Sequence, residues 1–259
     1  MGRLHEIVHR YEVLTSTNDR ARELANAGAP EGTTVMAWEQ TAGRGRQGRV
    51  WHSPRGAGLY HSIILRPPIS PAEAPLLGLV AAIAVAETIR EDYHLPADIK
   101  WPNDVLIHDG KVAGILLELD AEGDRVRYVI LGIGVNLNQT SFPPDLGQLA
   151  TSLRLETGQI HEADLFRMRL FARLDQWYTT LLSLGPRPIL ARYSDLSSYV
   201  SGRMVQVEVQ DGVIVGQTCG LSPAGALLVR TPSGEIEQII TGDVKHLRPV
   251  NTPHGEIQR

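Results

Sequence analysis

Glu39-Gln40-Thr41-Ala42-Gly43-Arg44-Gly45-Arg46-Gln47-Gly48-Arg49-Val50-Trp51 is the run on which the reading of this chain turns. Three glycines alternate with three arginines, and a tryptophan closes the stretch. Glycine lets the backbone turn sharply and approach a ligand closely. Arginine forks match the paired oxygens of a carboxylate or phosphate. Such a loop suits a small anionic ligand; the competing reading is a solvated basic loop of the kind common on surfaces. Residues Gly43 to Gly48 also satisfy the G-x-G-x-x-G pattern of dinucleotide-binding folds, but their context excludes that fold. The fingerprint needs a helix straight after it and an acid roughly 20 positions on. Here Pro54, Gly56 and Gly58 stand where the helix would start, and residues 63–69 contain no acid. No G-x-x-x-x-G-K-[ST] run occurs anywhere in the chain.

Working outward, 259 residues at 42% hydrophobic and 21% charged make an ordinary globular composition with room for one or two domains. A net charge of −4 and a pI near 6.1 argue against general nucleic-acid binding, for which a domain pI above about 9 is the usual footprint. The single cysteine, Cys219, rules out an intrachain disulfide and fits a reducing compartment. The histidines lack ligand spacing, so a structural zinc site is not expected. The N-terminus has no signal-peptide core, and the apolar run Leu76–Ala86 falls short of the ~20 residues that span a bilayer. A soluble, cytoplasmic chain with no membrane partner is expected.

Upstream of the loop, residues 7–14 read as a strand. Thr15-Ser16-Thr17-Asn18 then leads into a helix over Asp19–Asn26. Ser16, Thr17 and Asn18 serve as caps or as donors to a polar ligand at a helix N-terminus. Thr33–Glu39 is a strand that delivers the glycine–arginine loop, and Leu59–Leu65 is a second. Residues 71–93 are helical and apolar on most faces, the pattern of a buried core helix. In Ile99-Lys100-Trp101-Pro102-Asn103-Asp104-Val105, the proline marks an edge, bulge or break, so Lys100, Asn103 and Asp104 form either a turn or a site. His108-Asp109-Gly110 is a hairpin turn, and Lys111–Glu118 leaves it as a strand. Lys111 at its mouth either snorkels to water or faces a ligand. Arg125–Asn138 is the next strand, with Gly132 and Gly134 on one face where missing side chains would admit a ligand. Residues 142–158 read as loop, 162–184 as an amphipathic helix, and a further helix follows the prolines near 186–188 and runs to about Ser198. Thereafter short strands at 204–209, 213–219, 226–230 and 235–241 predict a small β-barrel, with a disordered tail after Pro249.

Four separated segments resemble one family together: Ser16-Thr17-Asn18; the Gly43–Arg49 loop with Gln40 before and Trp51 after it; Lys100-Trp-Pro-Asn-Asp104; and Lys111-Val-Ala-Gly114 with Gly132-Ile-Gly-Val-Asn136. The chain is identified on these as a member of the biotin–protein ligases, over nearly its whole length. The resemblance implies an α+β catalytic domain over residues 1–200, with a mixed sheet like that of class II synthetases. A small SH3-like barrel over 201–250 and a tail over 251–259 would follow. It implies that ATP, with Mg²⁺, converts biotin to biotinyl-5′-AMP, and that a lysine of a biotin carboxyl carrier domain then takes the biotinyl group. Carried over by position, Ser16, Thr17, Asn18, Gln40, Gly43, Gly45, Gly114 and Gly132 belong to the biotin side. Arg44, Arg46 and Lys111 hold the carboxylate and α-phosphate. Gly48, Arg49, Trp51, Lys100, Gly134 and Asn136 belong to the nucleotide. Asn103 and Asp104 serve magnesium, phosphate or the incoming amine, and Lys111, Arg46, Arg44 and Asp104 carry the catalysis. Gln47 stands where several members have another arginine and is assigned no contact.

Some members carry an N-terminal winged helix-turn-helix and repress transcription. Here the first catalytic strand begins near residue 7, so a ligase without DNA binding is expected. Homodimerisation through the sheet is expected by family analogy. Two readings compete. A lipoate–protein ligase or octanoyltransferase shares the fold but lacks the Gly-Arg-Gly-Arg-x-Gly loop. An RNA-binding module would need aromatic platforms among clustered lysines, which this chain lacks.

Overall fold

The computed structural model describes residue 4 and residues 7–144, 146, 149–209, 212–240 and 242–246. A seven-stranded mixed sheet forms the larger unit. Its strands are β1 (Ile7–Leu14), β2 (Thr33–Gln40), β3 (Gly58–Leu65), β4 (Ala97–Lys100), β5 (Asp104–Ile107), β6 (Gly110–Glu122) and β7 (Arg125–Asn136), in the order β1-β2-β3-β7-β6-β5-β4. Only the β1–β2 pair is parallel, joined across helix α1 (Thr17–Asn26); the remaining pairs are antiparallel.

Alternation along the central strands divides the core in two. Val35, Ile64 and Ile130 meet Ala21 and Ala25 of α1 on one face, while Met36, Ile63, Leu65, Val129 and Leu131 join the larger cluster on the other. That second face carries α2 (Pro75–Tyr93), α4 (Ala163–Leu184) and α5 (Pro186–Asp195). By length and composition α2 and the turn before it could cross a membrane, but every residue from Leu79 to Ile89 is buried inside the protein. This explains a helix apolar all round. Its one buried carboxylate, Glu87, accepts from Arg192 Nε and Trp177 Nε1, both at 2.7 Å, and so ties three helices together.

The C-terminal unit comprises β8 (Ser201–Val209), β9 (Gly212–Leu221), β10 (Leu227–Arg230), β11 (Ile236–Ile239) and β12 (Asp243–His246), antiparallel in the order β11-β10-β9-β8-β12. This is the small β unit that the family resemblance implies. Its core is continuous with the catalytic one, and Trp101 Nε1 donates to Gly225 O across the junction at 3.0 Å.

Besides shifts of a few residues at strand ends, three differences from the sequence reading stand out. Residues 153–157, read as loop, form the short helix α3 (Leu153–Thr157), which Ser152 caps by accepting from Leu155 N; one turn and a half is too short to display a period. β12 was not among the expected strands, since only its pairing with β8 defines it. Helix α5 stops at Asp195 rather than near Ser198, because the next residues run beside β4. Ile99 N donates to Leu196 O and Ser197 Oγ to Ile99 O, covering that sheet edge. The tail after Pro249 lies outside the described residues.

Candidate active site

The glycine–arginine run folds back on itself as a short hairpin. Trp51 N donates to Gly43 O, Gly45 N to Arg49 O, and Arg44 bridges Val50. The tip at Arg46–Gly48 is a tight turn in which Gln47 (φ 55°) and Gly48 (φ 74°) are both left-handed. Gly48 is therefore demanded by the backbone, and Gln47 is strained where it stands. Gly43 has a different reason: a Cβ there would lie 2.5 Å from Trp51 O and 2.7 Å from Ser53 Oγ.

Under this hairpin lies a cavity of about 370 Å³. Ser16, Thr17, Asn18, Gln40, Arg44, Gly45, Arg46, Arg49, Trp51, Lys100, Asn103, Asp104, Lys111, Gly114, Gly132, Gly134 and Asn136 all line it. Gly43 and Gly48 are not in this lining; they line an adjoining groove that shares Arg44, Gly45, Arg46 and Arg49 with the cavity. The lining also includes residues that motif reading passed over, among them His61, Tyr199 and, from the 142–150 segment, Phe142 and Leu149. Apolar residues in a loop carry no periodic signal, so the sequence offered nothing to find them by.

Ser16, at the N-cap of α1, makes no side-chain capping bond. The polar cluster is instead tied into the wall. Gln40 Oε1 accepts from Thr17 N at 2.8 Å and from Thr17 Oγ1 at 3.0 Å, and Gln40 Nε2 donates to Ser53 Oγ at 2.8 Å. Gln40 thus keeps one N–H donor for a ligand. Ser62 Oγ lies 2.8 Å from Thr17 Oγ1 and 2.5 Å from Asn18 Oδ1, sharing one proton between them.

The sheet glycines act differently from expectation. A Cβ on Gly132 would stand 2.2 Å from Asn18 Oδ1, and one on Gly134 would stand 2.5 Å from Trp51 Nε1. These glycines make room for protein side chains, and it is those side chains that shape the cavity. Gly114, opposite Gly134 in register, likewise gives way to Trp51 and Lys111.

Lys111 owes its direction to a β-bulge. Val105 pairs with Ala113 but Leu106 with Lys111, so Val112 is an extra residue in β6, and Lys111 turns to the face of Gly114. Its ammonium lies 2.6 Å from Asp104 Oδ1 and 5.3 Å from the Trp51 ring centroid. The snorkelling alternative is therefore discarded. The bulge's backbone is satisfied by the 149–151 segment: Lys111 N donates to Leu149 O, and Thr151 N to Lys111 O. Asn136 is occupied there too, its Nδ2 donating to Thr151 O and Lys111 O and its Oδ1 accepting from Gln139. It thereby supports the backbone at Lys111.

The turn between β4 and β5 contains a cis Trp101–Pro102 peptide. Asn103 Oδ1 accepts from Arg46 Nη1 at 2.9 Å and its Nδ2 donates to Ile115 O, while Asp104 faces Lys111. Asn103 Oδ1 and one of the two Asp104 oxygens thus face cations. Among the described residues no group of three or more His, Cys, Asp or Glu forms a metal site. Arg44 Nη2 pairs with Asp19 at 2.8 Å and Glu118 at 2.9 Å, while its Nε is buried with no partner among the described residues. On the cavity's lower wall His61 is fully enclosed. Burial, reinforced by the positive Arg167, pushes its pKa down to about 3.

This arrangement brings cationic donors suited to an anion and neutral hydrogen-bonding groups to one cavity. The sequence profile of the Biotin/lipoate A/B protein ligase family matches residues 11–136, and that of the biotin protein ligase C-terminal domain matches residues 200–247. The chain is 42% identical over 244 residues to the bifunctional ligase/repressor BirA of Bacillus subtilis, covering 93% of this chain and 74% of that one. It is 37% identical over 231 residues to the biotin–[acetyl-CoA-carboxylase] ligase of Paracoccus denitrificans, covering 85% and 92% respectively. A solved biotin protein ligase from Aquifex aeolicus, in complex with biotin and ATP, aligns with a TM-score of 0.80 at 30% identity over 94% of this chain and 100% of that one. With its cavity walls built from the four motifs that first suggested it, the chain belongs to the biotin protein ligase family.

Proposed function

We propose that this protein is an ATP-dependent biotin–protein ligase acting on a biotin carboxyl carrier domain. The observation that carries this reading is the convergence of Arg44, Arg46 and Lys111 on one cavity with Ser16, Thr17, Asn18 and Gln40. In the first half-reaction a biotin carboxylate oxygen attacks the α-phosphorus of ATP; the α–β phosphoanhydride breaks, pyrophosphate leaves, and biotinyl-5′-AMP forms. Two anions must meet, and Arg46 and Lys111 offset that charge where the oxygens crowd. Each preorganised donor of this kind is typically worth about 10²–10³-fold in rate, and alignment of the reactants adds more. In the second half-reaction the carrier lysine's amine attacks the acyl carbon, AMP leaves, and an amide forms. The lysine's usual pKa near 10.4 leaves only about one amine in a few thousand neutral at pH 7, so a base must take its proton. Asp104 is assigned that role once Lys111 turns to phosphate. Mg²⁺ enters as the counter-ion of the triphosphate, the usual manner for this ion.

The ureido end of biotin is assigned to Ser16, Thr17, Asn18 and the remaining N–H of Gln40, and the nucleotide to Arg49, Trp51 and Lys100. A homodimer formed through the sheet would use β1, which is largely exposed, since residues 196–198 cover the β4 edge. The net charge of −4 gives little attraction for a polyphosphate backbone, so specific DNA binding forms no part of the reading, and the chain is assigned to the cytoplasm. The deciding experiment is transfer of labelled biotin to an acceptor domain with ATP. Incorporation dependent on both biotin and ATP supports the proposal; incorporation of lipoate or octanoate instead would replace it with the related acyl transfer.

A further inference from the structure

Arg44 is fastened from behind. Glu118, on β6, lies 74 residues further along the chain, and its Oε2 accepts from both Arg44 Nη2 (2.9 Å) and Asn18 Nδ2 (2.7 Å). Its Oε1 accepts from Arg22 Nη2 at 2.7 Å, and Asp19 Oδ1 pairs with both Arg22 and Arg44. With Nη2 held by two carboxylates, the guanidinium cannot rotate, and its buried Nε–H stays without an acceptor. An unpaired buried donor is costly, and an anionic oxygen arriving in the cavity relieves that cost.

From Glu118 a hydrogen-bonded belt runs round the cavity wall: Asn18 to Glu118, Ser62 to Asn18 and Thr17, Thr17 to Gln40, Gln40 to Ser53, and Ser53 Oγ to Trp51 O at 3.0 Å. Each amide and hydroxyl in it has its donor and acceptor roles set by the next. A carboxylate at one end is what makes Asn18 donate outward and present its Oδ1 to Ser62. Both feet of the glycine–arginine hairpin, at Arg44 and Trp51, are therefore attached to one network.

We propose that Glu118 is a positioning residue for the ligase reaction: it aims Arg44 at the reacting carboxylate and sets the polarity of the belt that holds the biotin-side groups. It touches neither substrate. This inference rests on the ligase reading, and its test has one arm that does not.

In the ligand-free protein, Glu118→Ala should speed amide hydrogen exchange at Gly45 and Trp51 by about fivefold or more, since the hairpin loses an anchor at each foot. In the kinetic arm, the same change should lower kcat/KM for biotin in pyrophosphate exchange by about fivefold to tenfold, chiefly through KM. That loss should shrink to under about twofold in an Arg44→Ala background, because groups acting through one another are not additive. If Glu118→Ala fails to fold, Glu118→Gln keeps the shape, removes the charge and is read in the same two assays. Unchanged exchange, no kinetic loss, or an equal loss in both backgrounds would each overturn the proposal. Wild-type protein with no biotin-dependent exchange of pyrophosphate would remove the ligase reading, while hydrogen exchange would still decide whether Glu118 anchors the hairpin.

Discussion

Lys111 Nζ stands 2.6 Å from Asp104 Oδ1 across the β5–β6 hairpin, and the same ammonium lies 5.3 Å from the centre of the Trp51 ring. The pair is partly enclosed, with side-chain exposures of 32% and 23%, so neither group is sealed from substrate. In the proposed reaction Lys111 would exchange this partner for a phosphate or carboxylate oxygen, leaving Asp104 for the incoming amine.

Lys111→Met keeps the stem's contacts with Trp51 and Gly114 but removes the charge. Loss of the Asp104 pair should cost about 0.5–1 kcal/mol in denaturant unfolding. Biotin-dependent pyrophosphate exchange should fall about 10²-fold or more, and supplying preformed biotinyl-5′-AMP should restore most of the transfer. A transfer defect that is equally deep with the preformed adenylate would move Lys111 from activation to binding.

The two glycines of β7 offer a separable pair. Gly132→Ala drives a methyl into Asn18 and Gly134→Ala drives one into Trp51. Each overpacking should cost about 1–3 kcal/mol. The first should raise KM for biotin by about tenfold with ATP less affected, and the second should do the reverse. Steady-state kinetics with each substrate varied in turn would check this; identical effects of both changes would contradict the division of the cavity.

Trp101 fastens the C-terminal unit to the β4–β5 turn through the buried bond to Gly225 O. Trp101→Phe keeps most of the ring's packing and leaves that carbonyl unsatisfied, so unfolding free energy should drop by about 1–3 kcal/mol. Because the core is continuous across the junction, urea unfolding should remain a single transition in both proteins; two separated transitions would show that the units fold independently.

His61 links stability to pH. Its folded pKa of about 3 lies below the ordinary value of 6.5, so the unfolded chain binds the proton more readily. The contribution is intact above about pH 6.5 and is lost progressively as pH falls from there through 3. At pH 5 the penalty is about 2 kcal/mol. His61→Asn should therefore show a shallower fall in unfolding free energy between pH 7.5 and 5, whatever its absolute stability. Parallel curves for the two proteins would remove His61 as a contributor.

Much of this architecture was legible from local rules. The apolar surface of α2, the alternation in the sheet strands and the turn residues around 108–110 each report on their own element's burial, and that information travels with the chain. The residue types of the Gly43–Trp51 run likewise carry an expectation, since arginine forks suit anionic oxygens. Tertiary structure decided the rest, because it depends on which distant residues are brought together. That Gly132 yields to Asn18 and Gly134 to Trp51 follows from the register of β3, β7 and β6, not from the glycines. The direction of Lys111 is set by one extra residue in β6, Asn136 is claimed by the 149–151 segment, and Arg44 is held by a glutamate two strands beyond β3. A period of 2 or 3.6 encodes which face of an element is buried, whereas pairing across elements is selected only when the whole sheet closes its hydrogen bonds and its core at once.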